Sequence, residues 1–298
     1  MRGESLALAS AACFAVANAA VARGAPPGAE DNGAFLSLLL SFAISGALWL
    51  ALGLAHRFAP VTPESLLWLA GAGVFTAFIG RVFLYASIQC LGSMRASAVK
   101  RLNPFFAVLL GVLVLGEAIS GVMAWGMAMI IASFIVLIAD AWRSGPEPRE
   151  SLGRRLLNLG YLYGPLSALG YAIGYLLRKM GLNVTPDPFF GTMIGTATGA
   201  AIFVVAGAFS PSYLRAVRAT FQRPNAWLLA GGVMSSFGQI LYFAALNVSA
   251  MSRVALLASM EVFITILLTV IILRERLSPK VAIAALLGVS GTALLVGV

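Results

Sequence analysis

Residues 80–120 read GRVFLYASIQCLGSMRASAVKRLNPFFAVLLGVLVLGEAIS, and residues 238–278 read GQILYFAALNVSAMSRVALLASMEVFITILLTVIILRERLS. The second stretch repeats the first at a constant offset of 158. Gly80 falls on Gly238, Ala86 on Ala244, Arg95 on Arg253, Phe105 on Phe263, Leu115 on Leu273, Glu117 on Glu275 and Ser120 on Ser278. The register holds without a gap back to Gly73, which falls on Gly231. Three polar positions correspond without being identical: Arg81 with Gln239, Gln89 with Asn247, and Asn103 with Glu261. Arg81, Tyr85 and Gln89 are spaced by four, as are Gln239, Phe243 and Asn247, and on a helix such residues share one face. The chain reads as two related halves, each carrying a polar stripe at the same place.

Composition sets the solvent. Of 298 residues, 60% are hydrophobic and 10% charged, against about 25% charged in a soluble globular domain. This is the make-up of an all-α integral membrane protein whose main partner is the lipid bilayer. The net charge of +9 sits in loops between apolar runs, as membrane insertion requires, so nucleic acid is not an expected partner. Cys13 and Cys90 lie in apolar runs without metal-ligand spacing and read as packing residues, with no disulfide. The single histidine, His56, sits beside Arg57 in a loop, which leaves no His-based metal site or catalytic triad. Neither a phosphate-binding G-x-x-x-x-G-K-[ST] loop nor H-E-x-x-H occurs. The reading is of a non-enzyme that needs no cofactor.

A hydrocarbon core of about 30 Å takes roughly 20 apolar residues per helix. Ten stretches qualify: 4–22, 34–55, 64–88, 94–116, 120–140, 158–177, 188–209, 225–248, 253–273 and 278–297. They divide into a first five-helix repeat (1–142), a basic linker (143–157) and a second repeat (158–298). Arg2, an apolar run and Ala17-Asn18-Ala19 have the form of a signal peptide. Residues 3–20 fall opposite 161–178, however, and the segment is therefore read as the first helix. An odd number of spans per half predicts that the halves enter the membrane in opposite senses, as inverted repeats around a central cavity. Loops after odd spans hold 14 Lys or Arg, whereas Arg2, Arg57, Arg178, Lys179 and Arg253 lie on the other side. That bias predicts both termini on the non-cytoplasmic face.

A charge inside a span costs about 2.5–3.5 kcal/mol on insertion scales, so it faces the bundle interior, water or a partner. Arg81 lies deep in span three, Lys100 and Arg101 open span four, and Glu261 lies a third of the way along span nine. Arg81 reads either as a cation for a substrate carboxylate or phosphate, or as the structural partner of Glu261. Glu261 reads as a coupling carboxylate or as the other half of that pair. Asn18, Tyr85, Gln89, Asn103, Tyr171, Tyr175, Gln239, Tyr242 and Asn247 come from the spans that the repeat pairs. As a set they supply the donors, acceptors and aromatic faces of a wall for a small amphiphilic substrate; singly, each could be an interhelical hydrogen bond.

Each half ends its fourth span in Leu-x-Glu and opens its fifth with Ser: Leu115-Gly116-Glu117 with Ser120, and Leu273-Arg274-Glu275 with Ser278. With Pro104 in span four and the glycines of the fifth spans (Gly121, Gly126; Gly288, Gly291), this resembles the ten-helix EamA-type members of the drug/metabolite transporter superfamily. The resemblance implies that spans one, three, four, six, eight and nine enclose the cavity, with five and ten at the periphery. It implies secondary transport of small metabolites, often amino-acid export, aromatic amino acids included. It implies substrate contact for Arg81, Tyr85, Gln89, Asn103, Gln239 and Glu261. Small multidrug relatives carry a coupling glutamate inside helix one; here the only acid in that helix is Glu4, at its start, and proton coupling stays open. The expectation is a transporter of the inner cell membrane that exports amino acids or similar metabolites by alternating access, for which a monomer suffices and the oligomeric state stays open. A passive channel and an intramembrane lipid-modifying enzyme are the alternatives.

Overall fold

The computed structural model describes residues 3–25, 31–91, 102–118, 121–143, 151–222, 225–273 and 279–296. Among these residues the regular elements are helices, and no strand occurs. In chain order they are α1 (Gly3–Gly24), α2 (Ala34–His56), α3 (Pro63–Ala72, continuing through Gly73–Gly80 into Arg81–Leu91), α4 (Leu102–Leu115), α5 (Gly121–Arg143), α6 (Ser151–Val184), α7 (Pro188–Phe209), α8 (Pro211–Gln222), α9 (Ala226–Val248), α10 (Met251–Ala258), α11 (Glu261–Leu273) and α12 (Pro279–Val296). Among the described residues, five helices are long and apolar enough to cross a bilayer: Gly3–Gly24, Ala34–Ala55, Pro63–Cys90, Pro188–Phe209 and Ala226–Val248. Their starts carry local signals. Thr62 and Ser65 form a capping box ahead of α3, and Asp187 and Asn225 accept hydrogen bonds from the first-turn N–H groups of α7 and α9, which satisfies donors a helix leaves open.

The helices pack through small residues. α1 and α9 run in opposite senses: Gly3 lies beside Ser249, the Ser10 hydroxyl donates to the Gly238 carbonyl at 2.7 Å, and Gly24 meets Leu228. α6 and α3 repeat that arrangement, with Ser87 donating to the Gly160 carbonyl, Gly174 against Thr76 and Gly181 against Leu69. α2 and α9 run in the same sense, Ser37 against Gly232 and Ser41 against Ser236, as do α3 and α7, Leu69 against Gly191 and Gly73 against Gly195. Exchanging the halves thus maps these pairs onto each other. α2 and α7, which the 158-residue offset matches, lie antiparallel: Phe35 meets Phe203 at 5.2 Å and Trp49 meets Phe190 at 5.6 Å between ring centroids. α5 packs on α12, where the Ser133 hydroxyl donates to the Ala284 carbonyl at 2.6 Å. The outside carries many apolar side chains, Leu54, Leu67, Trp125, Phe209 and Leu286 among the most exposed of the large hydrophobic residues.

Four features depart from the sequence reading. α6 runs to Val184 and already begins at Ser151, so Arg178 and Lys179 lie within a helix and not in a loop. The polar segment after α7 forms α8, which packs on α7 and places Tyr213 against Phe78 and Phe203. The ninth span is two helices, α10 and α11, broken at Ser259 and Met260. Residues Gly73–Gly80 are wound as a π-helix. That widened turn is tolerated because it is buried in protein and its groups are met: the Ser167 hydroxyl donates to the Gly80 carbonyl at 2.7 Å, and the Thr76 hydroxyl to the Ala72 carbonyl at 2.7 Å. Lys100 and Arg101 lie outside the described residues, as do 144–150 of the linker.

Candidate functional site

In an apolar bundle the informative residues are the buried polar ones. Among the described residues, the buried charged side chains are Arg81, Arg178 and Glu261, at 1%, 2% and 8% exposure. Each reaches a partner from another element. Arg81 stands on the first turn after the π-helical stretch, where each residue added to a turn rotates the rest of the helix by about 100°. It donates from Nη1 to the Ser37 hydroxyl on α2 at 2.7 Å. The Tyr85 hydroxyl, one turn on, reaches the same oxygen at 3.4 Å. Ser37 was not singled out in the sequence, and nothing marked it among the other serines of an apolar span.

Arg178 continues the face of α6 that carries Tyr171 and Tyr175. Its Nη2 donates to the Thr76 hydroxyl and to Gln239 Oε1, both at 2.7 Å. Its guanidinium carbon lies 4.2 Å from the Phe243 ring centroid and 5.6 Å from that of Tyr175. The Tyr175 ring stacks on Tyr242 at 4.3 Å and neighbours Tyr171 at 5.7 Å. A side-chain hydrogen bond joins Tyr175 to Asn103 of α4. Tyr171 is within electrostatic reach of Arg81, Glu261 and Arg178.

Glu261 opens α11 directly after the break, and its Oε1 accepts from Asn18 Nδ2 of α1 at 2.6 Å. Arg81 and Glu261 each have a partner of their own: Arg81 donates to Ser37, and Glu261 accepts from the Asn18 amide. Asn18, Arg81, Tyr85, Asn103, Tyr171, Tyr175, Gln239, Tyr242 and Glu261 are all buried, and these contacts gather them into three groups, around Arg81, around Arg178 with the tyrosines, and at Asn18–Glu261. Gln89 and Asn247 are less deeply placed than these. Both are half-buried near the ends of their helices, and Asn247 Nδ2 donates to the Pro186 carbonyl at 3.4 Å.

Arg178 is the residue the sequence reading missed. The signal was present: under the 158-residue offset it falls opposite Ala20, inside span one. Ending span six at 177 put it in solvent.

A second group of contacts closes one end of the bundle. Glu117 takes the first N–H groups of α10, Met251 at 2.6 Å and Ser252 at 2.9 Å. Gly116, at φ 65, supplies the left-handed turn that ends α4 and swings Glu117 across. Lys179 Nζ donates to the Leu246 and Ser249 carbonyls at the end of α9, and Arg253 pairs with Glu4 at 3.2 Å.

A helical bundle with an apolar exterior and a buried polar cluster drawn from both halves is a multi-pass membrane protein. Residues 1–139 and 158–297 each match the EamA-like transporter family, and the chain belongs to that family. A curated relative from Escherichia coli (strain K12), named "Probable amino-acid metabolite efflux pump", is 28% identical over 130 residues, which are 43% of this chain and 40% of the relative. The chain thus spans less than half the length of that relative. A solved structure described only as "Crystal structure of protein" superposes with a TM-score of 0.69 at 19% identity, covering 99% of this chain and 98% of the other, and shares the fold.

Proposed function

We propose that this chain is a secondary transporter that moves amino acids or similar small metabolites out of the cell across the inner membrane by alternating access. In this reading ten spans form two inverted five-helix repeats around a central binding site. The antiparallel seating of α2 on α7, and the exchange of helix pairs between halves, support the inverted arrangement. The observation that carries the reading is the buried cluster itself. Arg178 with Thr76 and Asn18 with Glu261 join polar groups from the two halves inside a bundle that lipid surrounds, beside the Arg81–Ser37 and Arg178–Gln239 contacts within each half. Intramembrane charges cost insertion energy and mark substrate or ion paths, and discontinuous helices such as α10–α11 are where such sites are built. The relative named as an amino-acid metabolite efflux pump supports the substrate class. The Lys/Arg bias favours non-cytoplasmic termini, and it strengthens once Arg178 is counted inside a span.

The test is uptake of a panel of labelled amino acids into liposomes holding the purified protein, with and without a pH gradient. Saturable uptake of at least one member above protein-free liposomes is expected. A flat time course across the panel removes amino acids from the substrate class, and a response to the gradient identifies proton coupling.

A further inference from the structure

Three atoms of the cluster are buried without a hydrogen-bond partner: Arg81 Nη2, Arg178 Nε and the Tyr242 hydroxyl. They are not scattered. Tyr242 and Arg178 both neighbour one ring, Tyr175, at 4.3 Å and 5.6 Å from its centroid. Arg81 and Arg178 act electrostatically on each other and both act on Tyr171. Two of the three are cationic donors and the third is a neutral hydroxyl, so the group that satisfies them together is an acceptor with negative charge. The charges give the same answer: among the described residues Arg81 and Arg178 are buried against one carboxylate, Glu261, which is engaged by Asn18. A buried cation without a counter-charge is costly. A zwitterion brings one charge of each sign and leaves that excess in place; a ligand of net negative charge offsets it.

We propose that Arg178 and Arg81, with the Tyr242 hydroxyl, form a carboxylate-binding subsite that selects substrates of net negative charge, such as acidic amino acids or dicarboxylates, over their neutral amides. This rests on the transporter reading for its transport consequence only; binding is tested apart from it. Melting of the detergent-purified protein is followed with glutamate, aspartate and succinate, and with glutamine and asparagine. At least one of the anions raises the melting temperature saturably, and its amide does so only at concentrations about tenfold higher or more, the factor that 1.4 kcal/mol represents. Tyr242→Phe removes a hydroxyl that has no partner to lose, so its unliganded melting stays at the wild-type value while its affinity for the anion falls about tenfold. Arg178→Gln abolishes the anion preference, and Arg178→Lys restores part of it. Equal response to acid and amide, no response to any anion, or unchanged anion affinity in Tyr242→Phe overturns the subsite. Anion-selective melting in a protein that moves none of the panel keeps the subsite and removes the transport reading.

Discussion

Asn18 and Glu261 lie 243 positions apart and meet at 2.6 Å, which makes the pair a sensitive point. A hydrogen bond to a charged group contributes about 1.5–3 kcal/mol, and leaving the charge without it costs more than the bond is worth. Asn18→Leu is expected to lower the melting temperature of the purified protein, whereas Asn18→Gln keeps part of the stability. Gln239→Glu makes the opposite kind of change. It sets a carboxylate where Arg178 now holds an amide oxygen at 2.7 Å, so the folded protein persists while Arg178 is neutralised and uptake falls at least tenfold; wild-type uptake in this variant would place substrate elsewhere. Much of this cluster was legible residue by residue, because an asparagine, a glutamate or a tyrosine in an apolar run needs a reason to be there. Ser37 was not legible, since serine is small and common in membrane helices and only its contact with Arg81 distinguishes it. Arg178 was misplaced by a span boundary, and the 158-residue offset contained the correction.

Helices α3 and α7 meet so closely that one hydrogen decides the contact. A Cβ at Gly73 would fall 2.3 Å from the Gly195 carbonyl oxygen, backbone that cannot step aside; a Cβ at Gly195 would meet nothing nearer than 3.6 Å. Overpacking of this kind typically costs about 1–3 kcal/mol. Gly73→Ala is therefore expected to reduce folded yield and melting temperature in detergent, with Gly195→Ala close to wild type; the reverse order would mean that the helices do not cross there. Glu117→Ala removes the acceptor of the Met251 and Ser252 N–H groups, the role of a helix cap worth about 0.5–2 kcal/mol, and lowers melting by a matching amount where Glu117→Gln loses less. Hydropathy located the long helices because a span must be apolar along its length. It was silent on the π-helical turn at Gly73–Gly80 and on the break before Glu261. Both are backbone events inside continuous apolar runs, where side-chain pattern does not change. The Leu-x-Glu motif was visible, but its partner lies in the other half, which no local pattern reveals.

At the scale of the molecule, the buried polar cluster draws on both matched halves, and it is not symmetric. Matched positions carry Arg81 and Gln239, and each has a different partner: Arg81 donates to Ser37, while Gln239 accepts from Arg178. The duplication was readable because the offset never slips. The asymmetry was not, because it depends on residues such as Arg178 that have no polar counterpart in the first half. Contacts at one end, Glu117 with α10, Lys179 with α9 and Arg253 with Glu4, hold that end together; the proposed alternating access needs such an end to part while the other closes. Counterflow tests this most directly: liposomes holding the protein are loaded with unlabelled substrate and exposed to a trace of the labelled form. A carrier whose site faces one side at a time must show transient accumulation of label above its external concentration, saturating with the internal load and lost in Arg178→Gln. Label that merely equilibrates, at a rate indifferent to the internal load, would contradict it and describe a pore.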